Sequence, residues 1–251
     1  KSLTDIMARS ADCKYRFGLT GTLDGTQTHR LVLEGLFGKV TQVTTTKELM
    51  DDETLAKLDI DCIVLKHTDE ECKRIKKYTY AEELNYIVSH TKRNKFIENL
   101  CKTIKGNTLV LFQLVDKHGV LLHNEIKKLD KKVFFVYGGT TTETREKIRG
   151  IVEKEKDSLI IASYGTFSTG INIRNINNIV FASPSKSKIR VLQSIGRGLR
   201  KMENKSVVRL FDIADNASYK SRQNFTYRHF TERLNIYKGE NFSYKVSKVN
   251  L

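Results

Sequence analysis

The sequence predicts an α/β protein built on a parallel sheet with helices on both faces, preceded by a fragment of another α/β unit. Three observations carry this. Short apolar runs at 63–65, 108–112, 133–137, 159–162, 179–182 and 207–211 lack the polar alternation of half-exposed strands. Segments of helical character separate them, which is the rhythm of strand, crossover helix and parallel strand. A single proline, Pro184, and no Gly/Ser linker interrupt the 251 residues.

Taken in order, residues 2–12 predict a short helix with Leu3, Ile6 and Met7 on one side, and 15–20 a strand ending in a Gly/Thr turn. That unit lacks a parent sheet. Leu31, Leu33, Leu36 and Phe37 suit a helix within a connecting stretch. After the strand at 63–65 a long helical region runs to Leu100. Helices are expected at 117–129, 141–154 and 189–200, between the strands given above. Phe225, Phe230, Leu234 and Tyr237 form the apolar stripe of a docking helix in the tail. Parallel sheets take ligands at the carboxyl ends of their strands, so the loops there are where chemistry is sought.

Composition narrows the partner. With 44 Lys and Arg against 29 Asp and Glu the chain carries +15. Residues 1–60 hold 8 basic and 9 acidic side chains, so 61–251 carry 36 against 20, a surplus of 16. Such a surplus favours a polyanion, because neutralised phosphates release condensed counterions. No run approaches a membrane span and the first residues lack a signal peptide's apolar core, so a soluble intracellular protein is expected. Cys13, Cys62, Cys72 and Cys101 show no C-x-x-C pairing, which argues against a disulfide framework. The six histidines show no ligand spacing, and no metal site is expected in the chain itself.

Three passages at strand ends suit phosphate chemistry. They are Gly18-Leu19-Thr20-Gly21-Thr22-Leu23, the loop 163–172 containing Ser168-Thr169-Gly170-Ile171-Asn172, and Gln193-Ser194-Ile195-Gly196-Arg197-Gly198-Leu199-Arg200. On a helix Gln193, Gly196, Arg197 and Arg200 fall at i, i+3, i+4 and i+7, so one face offers an amide and two guanidiniums kept open by glycine. That face suits a triphosphate, since arginine stays ionised and presents a planar donor fork. Tyr137-Gly138-Gly139-Thr140 lies between a strand and a helix, where amides can receive a backbone phosphate.

In order and spacing, these motifs resemble the later motifs of superfamily 2 helicases. The resemblance implies a RecA-like domain preceded by the remnant of a first RecA-like domain, with boundaries at 1–39, a connector at 40–60, the second motor domain at 61–218 and a basic aromatic extension at 219–251. Within the superfamily, the glycine-rich passages and the tail are similar to the branch that remodels branched DNA and RNA–DNA hybrids in bacteriophage recombination and replication. The resemblance makes Thr20, Gly21 and Thr22 the motif that couples ATP state to nucleic acid. It matches 108–114 to the motif IV strand, puts Thr169 on the nucleic-acid backbone and Gly170 and Asn172 near the nucleotide, and assigns Gln193, Gly196, Arg197 and Arg200 to the phosphates, with Arg200 as arginine finger. The family often has Asp where Asn172 stands.

A helicase also needs G-x-x-x-x-G-K-[ST] and an acidic pair for Mg²⁺. Neither occurs: Gly38-Lys39 is followed by Val40, and Asp69-Glu70-Glu71-Cys72 stands three residues past its strand, where Thr68 with the following acids reads as a helix cap. Together with Lys1 at the start, this predicts the back half of a motor that uses ATP and Mg²⁺, inactive alone, with the phosphate lysine and magnesium ligands on an N-terminal half. The expected partners are branched or single-stranded DNA, RNA–DNA hybrids and that N-terminal half, for a monomer in the cytoplasm, the host bacterium's if the chain is phage-encoded. The tail adds seven basic side chains, Arg222 and Arg228 among them, interleaved with aromatic rings that suit stacking on bases. The rival reading is a noncatalytic nucleic-acid binding or strand-annealing module on the same fold.

Overall fold

The computed structural model describes the backbone of residues 2–21, 23, 27–170, 173–201 and 205–251, and the side chains of all of these except Ser2, Gln27, Ser168, Thr169 and Gly170. The chain divides into two compact units, Lys1–Thr45 and Thr46–Leu251. The first holds α1 (Ser2–Arg9) and α2 (Gln27–Phe37). Residues 15–20 do not form the expected strand. Among its described residues the first unit holds no strand to complete a ladder, and Phe17 and Leu19 are 86% and 96% exposed.

The second unit is one sheet of seven strands, all parallel, in the order β3-β4-β2-β5-β6-β1-β7. The strands are β1 (Lys57–Lys66), β2 (Thr108–Phe112), β3 (Lys132–Val136), β4 (Ser158–Ser163), β5 (Asn178–Phe181), β6 (Val207–Asn216) and β7 (Tyr244–Asn250). The uninterrupted apolar runs follow from burial on both faces. Leu109 and Leu111 of β2 and Ile160 and Ala162 of β4 join one core cluster, while Val110, Phe112, Leu159 and Ile161 join the other.

Ile148 and Val152 of α8 (Thr142–Val152), Phe167 of α9 (Tyr164–Gly170), Val191 and Ile195 of α10 (Lys188–Gly198), and Phe230 and Tyr237 of α11 (Phe225–Gly239) belong to the first cluster. Ile97 and Cys101 of α6 (Thr91–Thr103) and Leu122 and Ile126 of α7 (Val120–Ile126) belong to the second. A short α3 (Thr46–Asp51) leads into β1.

The long helical region expected before Leu100 is three helices, α4 (Asp69–Ile75), α5 (Tyr80–Ser89) and α6. Thr68 and Thr79 each begin a capping box, with Glu71 and Glu82 returning the bond. Extended backbone at His90 (ψ 119°) ends α5, and its ring accepts the Arg93 N–H to start α6. The Thr68-to-Glu71 stretch is therefore a cap, as its sequence suggests. A π-helical turn at Val115–Gly119 opens what was expected as one helix over 117–129.

β6 runs five residues beyond the expected end at 211, because Asp212 and Asp215 are each paired with a buried arginine. The tail is part of the sheet domain: α11 packs on it and β7 pairs with β1. The division between the two units falls inside the 40–60 stretch expected as a connector.

Candidate functional site

Of the residues expected to meet phosphate, Gly170 ends α9, Gln193, Gly196 and Arg197 lie on α10, and Arg200 follows α10. The passage expected as a loop at 163–172 is helical through Gly170, since α9 starts directly after β4 with the Ser163 hydroxyl accepting the Thr166 N–H at 3.3 Å. α10 starts at the N-cap Ser187, whose side chain accepts from Arg190 N–H. It buries Val191, Ser194, Ile195 and Gly198 at i, i+3, i+4 and i+7. The opposite side carries exposed Gln193 and half-buried Gly196 and Arg197.

Arg200 does not continue that face as a helical i+7 position. The helix stops at Gly198, Leu199 inserts into the core with its carbonyl accepting Ala56 N–H at 2.9 Å, and Arg200 forms an antiparallel bridge with Leu55 beside the amino end of β1. The two glycines differ. A methyl group at Gly196 would meet nothing within 4 Å, whereas one at Gly198 would lie 2.5 Å from Ile179 Cδ1.

The Arg197 guanidinium lies over the Phe167 ring, 5.9 Å from its centroid, which links α10 to α9. Burial, and then the charge of Arg200, pull the Arg197 pKa below its ordinary value. Lys205 is buried and donates to Gly198 O at 2.8 Å and Arg174 O at 2.7 Å. Burial lowers its pKa to about 8; Arg200 adds to the shift and Glu153 opposes it. Arg200 thus adds to the lowering that burial causes at both Arg197 and Lys205. The amide and guanidiniums are donors of the kind that receive phosphate oxygens.

Of the remaining expected site residues, Thr22 and Asn172 lie outside the described residues. Thr169 and Gly170 are described as the backbone end of α9 only. Thr20 and Gly21 are exposed in the first unit. Gly138, Gly139 and Thr140 form a turn after β3, closed by Thr140 N–H to Tyr137 O at 2.9 Å and by Tyr137 N–H to the Thr140 hydroxyl at 3.1 Å, ahead of the α8 N-cap Thr141. Arg228 and Arg222 are exposed and lie over the Phe225 ring, 4.6 Å and 5.7 Å from its centroid. Arg222 also donates to Lys76 O. Tyr80 meets Phe225 edge-on at 6.1 Å.

Folding also brings together residues whose sequence spacing is silent. His67, Glu71 and His90 offer ligand atoms within 4.8 Å of one another, although no histidine pair shows ligand spacing. Hydrogen bonds join most of these groups, while the buried His67 Nδ1 has no hydrogen-bond partner. Glu71 accepts from Thr68 N–H and Oγ1, from the Tyr86 hydroxyl and from His90 Nε2. Burial alone raises the Glu71 pKa, but those bonds outweigh it and hold the carboxyl well below its usual range. His90 Nδ1 accepts the Arg93 N–H, so its proton sits on Nε2 and points to Glu71. Beneath it, Asp215 accepts from Arg93 Nε at 2.9 Å and lies 3.2 Å from His67 Nε2. Acids within an apolar strand are the one sequence sign of such buried pairs.

Residues 91–202 match the family model described as helicase conserved C-terminal domain. The whole chain is 36% identical to the ATP-dependent DNA helicase uvsW of Enterobacteria phage T4, covering 52% of that protein. The crystal structure of T4 UvsW is similar to 86% of this chain, over 44% of its own length, with TM-score 0.68 and 34% identity. A fragment of an HsdR subunit of a type I restriction enzyme from Vibrio vulnificus shares the fold at TM-score 0.66 and 14% identity, over 92% of this chain and 43% of that one. The chain thus spans about half the length of the uvsW helicase it matches.

Proposed function

We propose that the chain, whose residues 91–202 match the helicase conserved C-terminal domain model, is the second motor domain of an ATP-dependent DNA helicase that remodels branched DNA and RNA–DNA hybrids. The observation that carries the reading is the cationic face of α10, where Gln193, Gly196 and Arg197 stand together, Arg197 rests on Phe167, and Arg200 follows at the helix end. ATP, bound with Mg²⁺, supplies the phosphoryl transfer that drives the cycle. Arg197 and Arg200 neutralise phosphate charge, with Arg200 as the finger delivered across a cleft. Gln193 donates its amide, and Gly196 leaves room for close approach.

The chain has no G-x-x-x-x-G-K-[ST], so the phosphate lysine and magnesium ligands belong to a separate N-terminal half, and this chain alone does not turn over ATP. Thr20-Gly21-Thr22 couples the nucleotide to nucleic acid, Gly170 and Asn172 sit near the nucleotide, and Thr169 touches the strand. Gly138, Gly139 and Thr140 follow β3, while Arg222 and Arg228 follow β6, four places away in the sheet order. At ~4.8 Å per strand that is about 19 Å along the carboxyl edge, so a strand touching both runs across the sheet. Arg200 lies at the amino end, which separates the phosphates from this path. The motor works as a monomer in the cytoplasm, the host bacterium's if the chain is phage-encoded.

The test is ATP hydrolysis with branched DNA, by the chain alone and after addition of the P-loop half as a second polypeptide. Silence alone and turnover on mixing are expected, with Arg200→Ala reducing kcat by about 10³-fold or more. Turnover by the chain alone, or turnover on mixing that Arg200→Ala leaves intact, overturns this reading. DNA annealing without any turnover would establish the noncatalytic module.

A further inference from the structure

We infer that Lys205 is a positioning residue: its ammonium pins the arginine-bearing end of α10 to the segment that follows α9, so that both meet one phosphate chain. This rests on the nucleotide reading above. The last carbonyls of a helix have no partner within it, and Gly198 O is one of these. Lys205 Nζ donates to it at 2.8 Å. The same nitrogen donates at 2.7 Å to the carbonyl of Arg174, four residues beyond Gly170. One cation therefore joins two chain segments that β5 and α10 separate in sequence.

The site is built rather than incidental. Lys205 is only 4% exposed, and a buried ammonium is retained where bonds to it offset its desolvation. Each segment is otherwise fixed to a different part of the fold. Gly198 is pressed against Ile179 and Val208, while Arg174 N–H donates to Glu153 of the stretch after α8 at 2.7 Å. The charged groups acting on Lys205 are Glu153, which favours the ammonium, and Arg200, which opposes it. An ammonium beside the last turn also complements the helix dipole.

The experiment uses the two-half motor with Lys205→Met, which keeps the apolar stem and removes the donor, and with Lys205→Arg, which restores a cation. Misplacement of catalytic arginines by about an ångström costs on the order of 100-fold in kcat. Lys205→Met should show a loss of that order, with ATP KM and nucleotide-free DNA affinity held within about two-fold, and Lys205→Arg should recover part of it. A wild-type kcat in Lys205→Met, or a loss matched by equal losses of DNA affinity and Tm, overturns the proposal. If the wild-type motor shows no turnover the helicase reading fails instead, and the pin is read by amide hydrogen exchange in the 251-residue chain. Lys205→Met should then lose protection at Ile176 and Leu199, whose N–H groups bond Arg174 O and Ile195 O, while Leu109 and Ile160 keep theirs. Unchanged protection at both sites overturns the pin.

Discussion

Arg233 of α11 and Asp212 of β6 form a buried ion pair that ties the tail to the sheet. Nε lies 3.0 and 2.9 Å from the two carboxylate oxygens, and Nη2 is 2.7 Å from Oδ1. Tyr237 donates its hydroxyl to Oδ2 at 2.8 Å, and Arg233 Nη1 reaches Ser185 O. Removing one partner of such a pair leaves a bare buried charge and costs about 3–5 kcal/mol, whereas replacing both by apolar groups costs far less. Arg233→Met alone should therefore lower the urea midpoint more than Arg233→Met with Asp212→Leu. Equal midpoints for the single and the double variant would show that the pair carries no such penalty.

That pair also marks where the sequence stops being legible. The strands with uninterrupted apolar runs are all found, because burial on both faces writes itself into composition. Asp212 and Asp215 read as the end of a strand, since a lone sequence does not display the arginines that neutralise them from 21 and 122 residues away. β7 is equally hidden, because Lys245, Ser247 and Lys248 on an exposed edge strand read as solvated tail. The α10 face is legible up to Arg197. Arg200 is not, because the event that ends the helix is a bridge to Leu55, far away in the chain.

The glycines of Gly196-Arg197-Gly198 look equivalent in sequence and are not equivalent in the fold. Gly196→Ala meets open space and should gain stability by up to about 1 kcal/mol from helix propensity. Its methyl group intrudes on the face proposed for phosphate, so ATP KM should rise. Gly198→Ala drives a methyl group into Ile179, and overpacking of a core costs about 1–3 kcal/mol. Thermal unfolding of the two variants separates them, and a Gly198→Ala protein as stable as wild type would contradict the packing.

His118 makes stability pH-dependent. Its ring is buried in the π-helical turn, with Nδ1 2.7 Å from the Ser183 hydroxyl. Burial, and then the charge of Arg93, hold its pKa well below 6.5, Asp215 opposing. Below pH 6.5 the unfolded chain binds a proton that the folded chain refuses, so stability falls as pH drops, by up to about 1.4 kcal/mol per pH unit. The loss continues until the folded-state pKa is reached. His123 and His229 are shifted in the same direction, so the His118 share is read by difference. Urea midpoints from pH 7.5 to 5.5 should fall less steeply in His118→Asn than in wild type, and parallel slopes would remove His118 from the account.

The two arginines over Phe225 separate charge from stacking in nucleic-acid binding. A side chain that neutralises one phosphate of a single strand contributes about 0.7 to the slope of log K against log salt. Arg228→Ala should reduce that slope by about 0.7, and Arg222→Ala by less, because Arg222 already gives a donor to Lys76 O. Phe225→Leu keeps both charges but removes the ring that orients them, a cation–π contribution of about 0.5–1 kcal/mol each. It should weaken binding at every salt concentration with the slope unchanged. Fluorescence anisotropy of a labelled single strand across a salt series distinguishes these outcomes, and a wild-type slope in Arg228→Ala would place the strand away from α11.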